Sequence, residues 1–165
     1  MATFFSFLGK NRQENSSVDH YFITLCTRRH MPCFGSVTNG QMDLSLIGKI
    51  VEFECEKMAK NVQVVSGGEW IVMPNHVHAL FETSSSEIPV MVRRFKFSVK
   101  NWTNLCGLDF HWQTRYQIHR LKNEQELVWL RWYIRKNPMI WKTDSLYREN
   151  QLTLSGSKTW ATSER

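Results

Sequence analysis

The first residues that could do chemistry are two histidines in Met73-Pro74-Asn75-His76-Val77-His78. In a strand, side chains at i and i+2 share a face. His76 and His78 can therefore present two imidazoles to one ion, while Val77 points to the opposite side. A catalytic metal needs at least one more protein ligand and an open position, so the pair is an incomplete site. The same spacing also occurs in strands that bind nothing. A second set lies in Trp132-Tyr133-Ile134-Arg135-Lys136-Asn137-Pro138. Tyr133 and Asn137 are four residues apart and share one helix face. They border an apolar stripe of Leu127, Leu130 and Ile134. A phenol, with a pKa of about 10, is a weak nucleophile until a nearby cation or base assists it. The same two residues equally read as a tyrosine packed beside a core and an asparagine capping a helix end.

A third feature mixes bases with aromatic rings: Arg93-Arg94-Phe95-Lys96, and Trp112-Gln113-Thr114-Arg115-Tyr116. Phosphate neutralisation combined with base stacking is how single strands and hairpins are gripped. Bases lying over a core aromatic stripe are the plainer alternative. The charge is uneven. The 165 residues carry 21 Lys+Arg and 15 Asp+Glu, a net +6. Residues 91–104 hold Arg93, Arg94, Lys96 and Lys100 with no acid, and residues 112–142 hold seven bases against Glu124 and Glu126. The rest of the chain is slightly acidic. Such a stripe is the electrostatic footprint of a polyanion partner, or a solvated basic face.

The elements that must position these residues follow from periodicity. Aromatic and β-branched residues from Tyr21 to Thr27 predict a strand. Cys33 to Val37, followed by Asn39-Gly40, predicts a short strand and its turn. Helical spacing covers 45–60. A strand resumes over 62–65, with Ser66-Gly67-Gly68 as a turn or bulge. Strands follow over 69–73 and 76–81. A helix is expected over 88–105, a strand over 112–119, and a helix from the Asn123/Glu126 capping box to Asn137, ended by Pro138. This order predicts a single-domain α+β fold, an antiparallel sheet of about five strands flanked by helices. Residues 1–18 read as an N-terminal arm, 19–144 as the domain, and 145–165 as a Ser/Thr-rich tail. The Phe4-Phe5-Ser6-Phe7-Leu8 patch lacks a basic lead-in, and no apolar run is long enough for a membrane helix. The four cysteines lack CxxC or zinc spacing. A cytoplasmic chain with reduced thiols and no membrane partner is expected.

Taken together these residues resemble the single-tyrosine HUH transposases, and among them the REP-associated tyrosine transposases. The match runs from Tyr21 to about Asp144. It takes in the opening strand, Phe34-Gly35, Leu44 to Val51, the histidine signature, Phe95-Lys96-Phe97-Ser98, Trp112-Gln113 with Arg115 and His119, and Tyr133-Ile134-Arg135-Lys136-Asn137-Pro138. The resemblance implies a ferredoxin-like or RRM-like sheet. It implies His76, His78 and Asn137 as ligands of a divalent metal, Mg2+ or Mn2+. Tyr133 is then the nucleophile, cutting single-stranded DNA near a hairpin through a 5′-phosphotyrosine. Arg93, Arg94, Lys96, Lys100, Arg115, His119, Arg135 and Lys136 are the expected DNA-binding residues. A monomer and a homodimer both fit. The chain departs from the family at Ile118-His119-Arg120-Leu121-Lys122, where an acid is lost and a base gained. Two other readings compete: a domesticated hairpin-binding protein that no longer cleaves, and a metal-assisted hydrolase in which Tyr133 is structural.

Overall fold

The computed structural model describes residues 19–60 and 66–148. The expected arm (1–18), the strand over 62–65 and the tail beyond 148 lie outside the described residues. Four antiparallel strands form the main sheet: β1 (Asp19–Cys26), β4 (Ser66–Met73), β5 (His76–Thr83) and β6 (Gln117–Arg120). Their spatial order is β4-β5-β1-β6, so β1 and β5 are central. A separate hairpin pairs β2 (Gly35–Thr38) with β3 (Gln41–Leu44). The α+β architecture is the expected one, with its strands divided between a sheet of four and a hairpin of two. Asn39 and Gly40, both at positive φ, make the hairpin turn, as a type I′ geometry requires.

Two helices cover one face of the sheet. Helix α1 (Leu46–Ala59) is capped by Ser45, whose side chain accepts from the Gly48 N–H. Gly48 lets the Phe34 carbonyl approach so closely that a Cβ would lie 2.1 Å from it. Helix α2 (Ile88–Leu105) matches its expected bounds. Val51 and Cys55 of α1 and Met91, Val92, Phe95 and Val99 of α2 pack on Tyr21, Ile23, Val77, Ala79 and Phe81. Among the described residues, the opposite face carries one α-helix, α3 (Glu124–Lys136). Its Leu127, Leu130 and Ile134 pack on Leu80, Phe22 and Ile71. Asn123 caps α3 by accepting from the Glu126 N–H at 2.9 Å.

Of the two alternatives expected at Ser66-Gly67-Gly68, the structure takes the bulge, inside β4: Ser66 pairs with Glu82 and Glu69 with Leu80, three residues against two. Two local details differ from the sequence expectation. The strand expected over 112–119 forms only at its end. Trp112 instead packs between Phe34, Phe95 and Phe110 and makes a single bridge to Thr27. Pro138 ends the α-helix but not the helical path. The chain tightens into a 3-10 turn over Asn137–Thr143, since proline suits a first helical turn even though it cannot donate within one. That turn decides where the next residue lands.

Candidate active site

Pro74 and Asn75 form the two-residue link between β4 and β5, with Met73 paired to His76. His76 is thus the first residue of β5, and His78 follows on the same face, under α3. Asn75 fixes the first imidazole. Its Nδ2 donates to the His30 carbonyl at 3.3 Å and the Leu146 carbonyl at 2.8 Å. Its Oδ1 must therefore accept, and it meets His76 Nδ1 at 2.8 Å. Neutral His76 then carries its proton on Nδ1 and a bare lone pair on Nε2. His78 Nδ1 lies 2.9 Å from the Thr24 hydroxyl on β1, and its ring stacks on Phe22 at 4.9 Å. The two imidazole centroids are 4.3 Å apart.

Helix α3 brings Tyr133 to this face, its C-cap Asn137 follows at the start of the 3-10 turn, and the end of that turn brings back Asp144. Tyr133 Oη donates to Asp144 Oδ2 at 2.5 Å, and Asn137 Nδ2 donates to the same oxygen at 2.9 Å. Asp144 Oδ1 accepts from the Leu146 N–H at 2.7 Å. His78 Nε2 stands 3.9 Å from Asp144 Oδ2, beyond hydrogen-bond range. One ligand atom each from His76, His78 and Asp144 lie within 4.8 Å of one another, and all three residues are buried. The Nε2 atoms of both histidines and Asn137 Oδ1 are buried without a hydrogen-bond partner among the described residues. Buried lone pairs converging beside a carboxylate are what a divalent cation satisfies. The residues present fit such an ion.

The electrostatics agree with ligand-ready groups. Burial pushes the His76 pKa well below its ordinary 6.5, and His78 adds to the shift. Burial lowers His78 too, against the opposing pull of Asp144. Metal binding requires neutral imidazoles. Burial alone would raise the Asp144 carboxyl. The neighbouring His78, Tyr133 and Asn137 side chains and the Leu146 N–H outweigh it and hold Asp144 below the usual range. Burial, then the Asp144 carboxylate, pushes the Tyr133 hydroxyl above its ordinary value, so it stays a donor.

A pH dependence follows for the metal-free protein. Below pH 6.5 the unfolded chain takes up protons on His76 and His78 that the folded chain refuses. The unfolded state then binds more protons, so stability falls as the pH falls, by up to about 1.4 kcal/mol per pH unit per histidine. The melting temperature with chelator present is expected to drop between pH 7.5 and 5.5. A level or rising value would contradict the buried neutral pair.

The expected DNA-binding residues are spread over two layers. Arg93, Arg94, Lys96 and Lys100 are on α2, across the sheet from the histidines. Lys96 Nζ donates to the Gln113 and Thr114 carbonyls and Lys100 Nζ to the Phe110 carbonyl, so both tie down the loop before β6. Arg115 is exposed on that loop. His119 lies on the β6 edge with its Nε2 on Glu126 Oε1. Arg135 and Arg131 both reach Glu69, at 3.2 and 2.8 Å. Lys136 is exposed at the end of α3, its Nζ 3.8 Å from the Met139 sulfur.

Tyr133, His76, His78 and Asn137 thus come together. Sequence reasoning missed three residues of the cluster: Asp144, Asn75 and Thr24. Asn75 was visible beside the histidine pair. Asp144 follows a short turn of no fixed period and gives no local signal. Residues 145–148, read as the start of a tail, fold back here through Leu146, and Tyr147 packs on Trp141 at 5.3 Å.

No protein-family model matches the chain. An uncharacterized protein of Haemophilus influenzae is 30% identical over 151 residues, an alignment covering 77% of this chain and 84% of the relative. Among solved structures, that of a REP-associated tyrosine transposase bound to a REP hairpin is similar, with a TM-score of 0.54 and 19% identity over 89% of this chain and 92% of that one. The chain belongs to one family with that Haemophilus protein, and its fold is that of the REP-associated tyrosine transposase.

Proposed function

We propose that this chain is a divalent-metal-dependent DNA strand transferase that cuts single-stranded DNA beside a hairpin through a covalent 5′-phosphotyrosine. One observation carries the reading: the Tyr133 hydroxyl donates to Asp144, the carboxylate that also meets His78 and Asn137. A structural tyrosine needs no such neighbours. The hairpin substrate is suggested by the REP hairpin bound to the protein of similar fold. The uneven positive charge supports a polyanion.

The residues divide the work. Tyr133 Oη attacks the phosphorus, its bond to phosphorus forms, and the bond to the 3′ oxygen breaks. The phenolic proton is directed at Asp144 Oδ2; the departing 3′ oxygen takes up a proton and leaves as a hydroxyl. The phosphodiester energy stays in the phosphotyrosine, so a 3′-hydroxyl can reverse the step and join strands. Asn75 and Thr24 hold the two imidazoles in register. Asn137 and the Leu146 N–H hold Asp144. When bound by His76 and His78 with Asp144 or Asn137, Mg2+ or Mn2+ would polarise the scissile phosphate and offset its growing charge. Residues 19–144 form the proposed unit, closed by residues 145–148 through Leu146.

The test is a 5′- and 3′-labelled hairpin oligonucleotide set incubated with the protein and Mn2+ or Mg2+. A covalent protein–DNA adduct carrying the 3′ fragment is expected, and chelation is expected to abolish it. Hairpin binding with no adduct under either metal would favour the non-cleaving reading instead.

A further inference from the structure

Trp129 lies one helical turn before Tyr133 on α3. Its ring stacks on the tyrosine ring with centroids 5.3 Å apart and planes 10° from parallel. Yet 55% of Trp129 is exposed. Tyr133 covers one face of the indole, so the exposure falls on its other face and its edge. The surroundings are basic. Residues 127–143 carry Arg131, Arg135, Lys136 and Lys142 and no acid. Glu69, which reaches Arg131 and Arg135, and Asp144, which accepts from Tyr133, offset two of these four charges and leave the balance positive.

A flat ring, half open to solvent, in a positive field and in contact with the tyrosine is a platform for an unpaired base. We propose that Trp129 stacks one unpaired nucleobase of the strand to be cut, next to the phosphate that Tyr133 attacks. This rests on the strand-transferase reading above and adds what sets the position of the cut. Every base offers a π-face, so the contact tolerates sequence. Its function is register: seating one base on Trp129 leaves one phosphate facing Tyr133. An aromatic pair that only stabilised α3 would have no influence on DNA.

The experiment uses the full chain and hairpin oligonucleotides with an unpaired flank of about eight nucleotides, in the range of single-strand site sizes. 2-Aminopurine replaces each flank position in turn, because its fluorescence is quenched on stacking. The wild type, Trp129→Phe and Trp129→Ala are compared, with circular dichroism as the check on folding. Quenching is expected at one flank position in the wild type and in W129F. In W129A it is expected to vanish, with about tenfold weaker binding and cuts spread over neighbouring phosphates. Equal affinity and equal quenching in W129A would overturn this inference and leave the strand-transferase reading intact. Failure of the wild type to bind any of the oligonucleotides would overturn both. A wild-type dimer that W129A converts to a monomer, with quenching unchanged, would assign the ring to a second copy of the chain and overturn the inference.

Discussion

Replacing Tyr133 with Phe is expected to reduce adduct formation to background, a loss of about four orders of magnitude or more, as for other removed nucleophiles. The substitution deletes one oxygen and little else. The ring keeps its contacts with Phe22, His78 and Trp129, whose centroids lie 6.3, 5.4 and 5.3 Å away. The lost hydrogen bond to a charged carboxylate costs about 1.5–3 kcal/mol, which a single domain of this size can absorb. The metal response is expected to survive, because no proposed ligand is changed. A mixture of lost adduct and retained metal-dependent thermal shift would separate the nucleophile from the metal site. An adduct that persists in Tyr133→Phe would move the nucleophile to another residue. Activity that persists as hydrolysis, without any adduct in either protein, would support the bound-water mechanism and leave Tyr133 structural.

Much of the frame was legible in the sequence because it rests on local rules. Alternation along β5 puts His76, His78 and Leu80 on one face and Val77 and Ala79 on the other, and the structure packs them so. Helical spacing puts Tyr133 and the C-cap residue Asn137 on one side of the helix end, and both reach Asp144. The capping signal at Asn123 and Glu126 marks the start of that helix. What the sequence did not reveal depends on tertiary position. Asp144 is recruited by a 3-10 turn whose path depends on Pro138 and on Trp141, which is buried with its ring 5.7 Å from His76. No period links position 144 to position 78. Charge has the same limit. The sequence counts Lys96 and Lys100 in a basic segment, but their ammonium groups are spent on backbone carbonyls across the sheet from the histidines. A count of charges says nothing about which layer carries them.

The proposed third metal ligand is where the sequence pattern and the structure point to different residues, and Asp144→Asn is the substitution that decides between them. The family resemblance nominates Asn137, but the structure groups the two histidines with Asp144 and turns the Asn137 amide N–H toward that carboxylate. At a metal concentration of about 100 Kd the wild type should gain about 2.7 kcal/mol, a rise of about 5–11 °C for a chain of this length. If Asp144 is a ligand, D144N is expected to show almost none of that shift and an adduct rate reduced about 100-fold or more. Each protein must be read against its own metal-free baseline. Either orientation of the new amide sets an N–H against a donor, Leu146 N or Asn137 Nδ2, so metal-free D144N is expected to lose about 1–3 kcal/mol. Asn137→Ala removes the buried unpaired Oδ1 and one hydrogen bond to Asp144. With Asp144 as ligand, it should weaken the metal response without abolishing it, since the carboxylate keeps Tyr133 and the Leu146 N–H. A thermal shift that survives D144N and vanishes in Asn137→Ala would return the third position to the amide. Asp144 would then act on Tyr133 alone, and D144N would still slow the adduct while leaving metal affinity unchanged.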